Sequence, residues 1–173
     1  KGSETGSSFK QALYFMKCGF NLHDTMIYEK NSSTYPANNK SNRYSQIFEY
    51  MFIFSKGKPK THNLIKDKPN KWAGYKDFSG KLKNPVPEFS PRNNIWKYTT
   101  SFNGKTGHPA VFPEQLAYDH ILSWSNKGNT VLDCFLGSGT TGKTAKQLSR
   151  NFIGIEISKE YLDIAKERIK NDR

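Results

Sequence analysis

The stretch "TVLDCFLGSGTTGKTAKQLSRNFIGIEI", residues 130–157, decides how the chain is read. Gly137 and Gly142, with four residues between them and Lys143 and Thr144 behind, match the phosphate-loop pattern and raise a nucleoside triphosphate as ligand. The flanking residues point elsewhere. A phosphate loop works with an acid at the end of a second strand, which orders magnesium, yet Asp133 already closes the strand before the turn without a metal-binding spacing. Glu156 closes the next strand, 17 residues beyond Gly139. A Rossmann-like fold places there the carboxylate that holds a ribose diol. Adenosine suits this layout better than triphosphate, and Lys143 then reads as an exposed helix residue beside Lys146.

Periodicity extends the reading outward. Residues 130–135 predict a strand, about 141–150 a helix and 152–157 a second strand. Ser158 caps a last helix whose Tyr161, Leu162, Ile164, Ala165 and Ile169 face inward. Strand, glycine turn, helix, strand, helix implies two parallel strands joined by a right-handed crossover, half of a doubly wound sheet. Upstream, "PEQLAYDHILSWS" (113–125) predicts a helix with Pro113 at its first position and Leu116, Ala117, His120, Ile121 and Trp124 on one face. "SFKQALYFMKCGF" (8–20) predicts a short amphipathic helix capped by Ser8 and closed at Gly19. "NLHDTMIYEK" (21–30) and "SQIFEYMFIFSK" (45–56) read as strands, the second apolar enough to be central. Alternation sends His23 and Asp24 to opposite faces, which favours a structural role over a catalytic pair.

The 173 residues carry 27 Lys plus Arg against 15 Asp plus Glu, a net charge of +12 that points to a polyanionic partner, nucleic acid being the commonest. Much of that excess sits in residues 56–83, with nine lysines against Asp67 and Asp77 and with Trp72, Tyr75 and Phe78 interleaved. Residues 56–93 show neither helix nor strand period. No apolar run approaches the length of a membrane span and no signal peptide is visible, which predicts a soluble, cytoplasmic protein with no membrane partner. Cys18 and Cys134 fit no metal-ligand spacing and read as reduced core or near-core thiols.

The C-terminal string carries a stronger signal than its glycines. His108-Pro109, then Pro113-Glu114 and Leu116, then Asp133, Phe135 and Gly137-Ser138-Gly139-Thr140-Thr141, then Gly154 and Glu156 stand in order. This string, from His108 to Ile169, resembles the end of the β-class, permuted DNA amino-methyltransferases, which methylate the exocyclic amine of adenine or cytosine. Two departures are visible: Cys134 stands where Pro is usual, and Phe112 where Lys commonly precedes the Pro. Residues 42–59 resemble the strand after the family's catalytic region, with Phe48-Glu49-Tyr50 where His-Glu-Tyr is usual.

The resemblance implies an α/β fold, a Rossmann-like doubly wound methyltransferase sheet, mostly parallel with an antiparallel strand. It divides the chain into residues 1–55 (remainder of the catalytic half), 56–103 (target-recognition insertion) and 104–173 (cofactor region). By the same resemblance Asp133, Phe135, Gly137, Ser138, Gly139 and Thr140 line S-adenosylmethionine. Glu156 takes its ribose hydroxyls, Ile157 flanks its adenine, and His108 and Glu114 face the methionine end. Lys58, Lys60, Lys66, Lys68, Lys71, Trp72, Tyr75 and Lys76 are the expected contacts to double-stranded DNA, lysines neutralising phosphates and aromatics stacking on bases.

The implied activity is site-specific methylation of DNA in a restriction-modification or phage setting, with no metal. Family members also carry an Asp/Asn/Ser-Pro-Pro-aromatic tetrapeptide that accepts the amine protons. No Pro-Pro occurs in this sequence, so the tetrapeptide is expected upstream of Lys1 and no catalytic residue is assigned within the chain. A non-catalytic DNA- or cofactor-binding subunit and a phosphate-loop NTPase are the competing readings. Dimerisation is common in the family but leaves no visible signature here.

Overall fold

The computed structural model describes residues 5–31, 44–76, 79, 84–99 and 112–171. Eleven elements run in chain order: α1 (Ser7–Lys17), β1 (Asn21–Lys30), β2 (Phe48–Ser55), β3 (Lys66–Pro69), β4 (Phe89–Pro91), β5 (Ile95–Tyr98), α2 (Glu114–Trp124), β6 (Thr130–Asp133), α3 (Thr140–Gln147), β7 (Asn151–Gly154) and α4 (Lys159–Lys170). The described strands form a three-stranded sheet in the order β2-β1-β5 and two pairs, β3-β4 and β6-β7.

In the three-stranded sheet β1 lies in the middle, antiparallel to β2 and parallel to β5. This reverses the expectation that the more apolar β2 is central, since among the described strands β2 lies at the edge. The reason is that its apolar side chains are covered on both faces, by the core and by α1. On one face Met51 and Ile53 join Met26, Tyr28, Trp96 and Tyr98 in the main core. On the other, Tyr50 meets Phe9 and Phe54 stacks on Phe15 of α1, with ring centroids 5.1 and 5.3 Å apart. The apolar run thus serves two faces of one strand. A register shift between Leu22 and Asp24 interrupts the β1 alternation, and His23 packs edge-on against Trp124 of α2.

Helix α1 starts at Ser7 with Gly6 as its left-handed N-cap, so Ser8 lies inside the helix rather than capping it. Its other end follows the sequence reading. Gly19, at φ 91, donates to Met16 O while Phe20 donates to Phe15 O, which satisfies two terminal carbonyls through a left-handed glycine. Pro113 sits at the N-cap of α2, one position earlier than expected. Both cysteines are exposed, not core: Cys18 is the C-cap of α1 and Cys134 follows the end of β6.

The β6-β7 pair is parallel, Asp133 opposite Gly154, with α3 as the crossover. One face packs through Val131 and Phe152 against Ile121, Ala145 and Leu148 of α2 and the α3 segment. Ser158 caps α4 by accepting from Tyr161 N, as read from the sequence. β5 falls in the stretch assigned by resemblance to the insertion, but it is hydrogen-bonded to β1. Among the described residues no helix is long and apolar enough to cross a membrane.

Candidate functional site

β6 delivers the chain into a tight turn whose shape depends on glycine. Asp133 is half-buried and its Oδ1 accepts the N–H of Phe135 at 2.9 Å, so the carboxylate caps the turn it enters. Gly139 is the left-handed N-cap of α3 at φ 85, and a Cβ there would lie 2.9 Å from the Cβ of Ala165 on α4. Both the dihedral and the neighbouring helix therefore exclude a side chain. The absent side chain lets α4 close directly on the turn at the N-terminus of α3.

Glu156, two residues past β7, faces this turn. Its Oε2 accepts the N–H of Gly137 at 2.8 Å and its Oε1 accepts the N–H of Ser158 at 2.9 Å. These two backbone donors fix the plane of the carboxylate beside the glycines. Phe135 and Ile157, the residues expected to flank a cofactor ring, are 91 and 101% exposed. Two apolar side chains on bare surface beside an oriented carboxylate and a glycine turn form a site that fits adenosine: a hydroxyl acceptor, apolar flanks and close backbone approach. Ser138 and Thr140 are buried and hold the turn from within.

Lys143 departs from the expectation of an exposed helix residue. It is half-buried, and its Nζ lies 2.8 Å from Oε1 and 3.1 Å from Oε2 of Glu114 at the start of α2. The pair joins the helix after the glycine turn to α2, and the lysine that a triphosphate would require is engaged by a carboxylate. Its signal in the sequence was a single acid and a single base 29 residues apart, a separation that no local period can connect. His108 lies outside the described residues.

The lysine-rich stretch is partly ordered by a short β3-β4 ladder. Asn70 ties the loop that follows β3 to the strand opposite: its side chain donates to Pro87 O at 2.7 Å and accepts from Ser90 Oγ at 2.6 Å. Gly74 and Tyr75 exchange hydrogen bonds with Val86. The braced loop carries Trp72 and Tyr75, exposed at 72 and 49%, with edge-on rings 6.5 Å apart. Lys58, Lys60, Lys66, Lys68, Lys71 and Lys76 are exposed as well.

Beneath this stretch lies a polar network that sequence patterning did not reveal. Arg92 donates to Asp67 and Asp119, Tyr98 Oη donates to Asp119 at 2.6 Å, and Gln115 donates to the second Asp119 oxygen at 2.7 Å. The hydrogen bond from Arg92 holds the Asp67 carboxyl below its ordinary range, while burial, aided by Asp119, pushes the Tyr98 hydroxyl up. Asp119 is only 4% exposed, although it is not on the apolar face of α2 read from the sequence. Among the described residues no cluster of His, Cys, Asp and Glu could hold a metal.

The chain is 56% identical to the orphan methyltransferase M.BamHII of Bacillus amyloliquefaciens, over 99% of this chain and 71% of that protein. It is 31% identical to the type II methyltransferase M.SmaI of Serratia marcescens, over 97% of this chain and 53% of that protein. The crystal structure of M1.HpyAVI in complex with S-adenosylmethionine superposes with a TM-score of 0.65 and 34% identity, over 96% of this chain and 71% of that one. The cytosine-N4-specific PvuII DNA methyltransferase shares the fold, with a TM-score of 0.68 at 24% identity, over 93 and 56% of the two chains. These neighbours bear out the Rossmann-like methyltransferase fold. A DNA methylase family profile matches residues 2–167, and the chain belongs to that family.

Proposed function

We propose that this chain carries the cofactor turn and the DNA-contacting surface of an enzyme that methylates the exocyclic amine of adenine or cytosine at a specific DNA site. The observation that carries the reading is the Glu156 carboxylate locked by Gly137 N–H beside exposed Phe135 and Ile157. When bound, S-adenosylmethionine would supply an electrophilic methyl group to the amine nitrogen of the base, leaving as S-adenosylhomocysteine while the amine gives up a proton. Glu156 accepts the ribose hydroxyls, Phe135 and Ile157 cover the adenine, and the N-terminus of α3 faces the carboxylate of the methionine portion. Asp133 keeps the turn in register by capping Phe135 N–H. The site's contribution is proximity and alignment, which can lower a barrier by roughly 7–11 kcal/mol when reacting atoms are well oriented.

Trp72, Tyr75 and the exposed lysines around them supply the DNA-facing side, with a base flipped from the duplex at roughly a few kcal/mol. The engagement of Lys143 by Glu114 speaks against the NTPase reading. Calorimetric titration with S-adenosylmethionine and with ATP tests the proposal, together with transfer of tritiated methyl groups to duplex DNA. Binding of S-adenosylmethionine alone supports it; binding of ATP alone overturns it.

A further inference from the structure

We propose that Arg168 is a positioning residue for the cofactor turn, fixing the Ser138–Gly139 peptide unit in the orientation that receives S-adenosylmethionine. This rests on the reading of that turn as the cofactor site. The guanidinium projects from the inner side of α4, three residues after Ala165, which is fully buried beneath Gly139. Its Nη1 donates to both the carbonyl oxygen of Ser138, at 2.6 Å, and Ser138 Oγ, at 2.7 Å. The other end of the same peptide unit is held as well, because Gly139 N–H donates to Leu136 O at 3.0 Å.

A glycine with φ near 85° has other backbone wells open to it, so a peptide unit beside it turns over readily unless both its ends are bonded. Arg168 closes the carbonyl end. Ser138 is 4% exposed, so without the guanidinium its carbonyl would be buried without that charge-assisted donor, and the turn would relax toward orientations that satisfy it otherwise. The turn is therefore gripped from two sides: an anion, Glu156, takes Gly137 N–H, and a cation, Arg168, takes Ser138 O. Rigidity gained before binding appears as affinity, because the ordering cost is not incurred when ligand arrives. Arg168 acts through Ser138, to which both of these Nη1 hydrogen bonds run.

The test is calorimetric titration of S-adenosylmethionine into the full chain carrying R168Q, R168K or S138A, with thermal unfolding of each variant recorded. A lysine ammonium keeps the charge but ends one bond short of Nη1, so R168K is expected to rescue in part, binding about threefold more weakly than the unsubstituted chain, and R168Q about tenfold more weakly. S138A, which keeps the carbonyl bond and loses the hydroxyl one, is expected to bind about threefold more weakly. Equal affinity in R168Q and the unsubstituted chain overturns the proposal and leaves the cofactor site standing. Equal weakening in R168K and R168Q also overturns it, since a helix-packing role would not be rescued by the ammonium. If R168Q does not unfold cooperatively, S138A and R168K decide the matter, and unchanged affinity in S138A overturns the proposal. No binding by the unsubstituted chain overturns the cofactor reading and this inference together.

Discussion

Arg92 donates from Nη1 to the buried carboxylate of Asp119 on α2 at 2.6 Å, and the same guanidinium donates from Nε to Asp67 on β3 at 2.8 Å. One cation therefore ties the lysine-rich stretch to α2, the helix that packs on α3. The guanidinium also lies over the ring of Trp96, 5.2 Å from its centroid. Replacing Arg92 by Met keeps much of the stem and leaves Asp119 as a buried anion without its cation. The expected cost is about 2–3 kcal/mol, below the range for a wholly buried pair because Arg92 keeps some exposure. Urea unfolding measures it, and the double variant R92M/D119L is expected to recover part of the loss. A cost under about 0.5 kcal/mol for R92M would count against the network as an anchor.

His120 provides a pH test. Burial against Trp96 and beside Met51 lowers its pKa from 6.5 to about 4, with Asp119 opposing the shift. The folded protein thus disfavours the protonated ring, while the unfolded chain takes up a proton near pH 6.5. Stability is therefore complete above that value and falls as the pH is lowered toward 4, by up to about 3 kcal/mol. Denaturant midpoints between pH 7 and 4 should show this slope, and H120F should flatten it.

Glu156 and Lys143 separate the two readings of the glycine turn. In E156Q one of the two backbone donors now held by the carboxylate meets an amide NH2 instead, so S-adenosylmethionine affinity is expected to fall tenfold or more, roughly the worth of a charged hydrogen bond. K143A removes a partly exposed ion pair, expected to cost about 0.5–1 kcal/mol in stability with cofactor affinity changed by less than about threefold. Titration of both variants checks this, and the opposite ranking would restore the phosphate-loop reading.

The exposed lysines proposed to face DNA predict a salt signature. Plotting the logarithm of duplex affinity against the logarithm of salt concentration for the triple variant K66Q/K68Q/K71Q should give a slope shallower by about 2–3 units, roughly 0.9 for each phosphate left without its lysine. W72A should weaken binding with the slope retained, since stacking on a base releases no counterion. An unchanged slope in the triple variant would place the DNA elsewhere.

The sequence determined the segments whose information is local. The glycines of the turn, Ser158 as the α4 cap, Gly19 past α1 and the inward stripe around Ala165 were legible because helix periods and positive-φ turns are set by neighbours a few residues apart. So was Glu156, through its fixed distance from the glycines. Tertiary structure decided what depends on partners remote along the chain. It made β2 an edge strand among those described, because its apolar side chains are covered by α1 on one face and the core on the other, a choice that composition does not encode. It buried Asp119 against Arg92 and Tyr98, paired Lys143 with Glu114, and brought Arg168 onto Ser138 across 30 residues. A charge in sequence reads as solvent-facing until the fold supplies its counter-charge, and that supply is a property of packing alone.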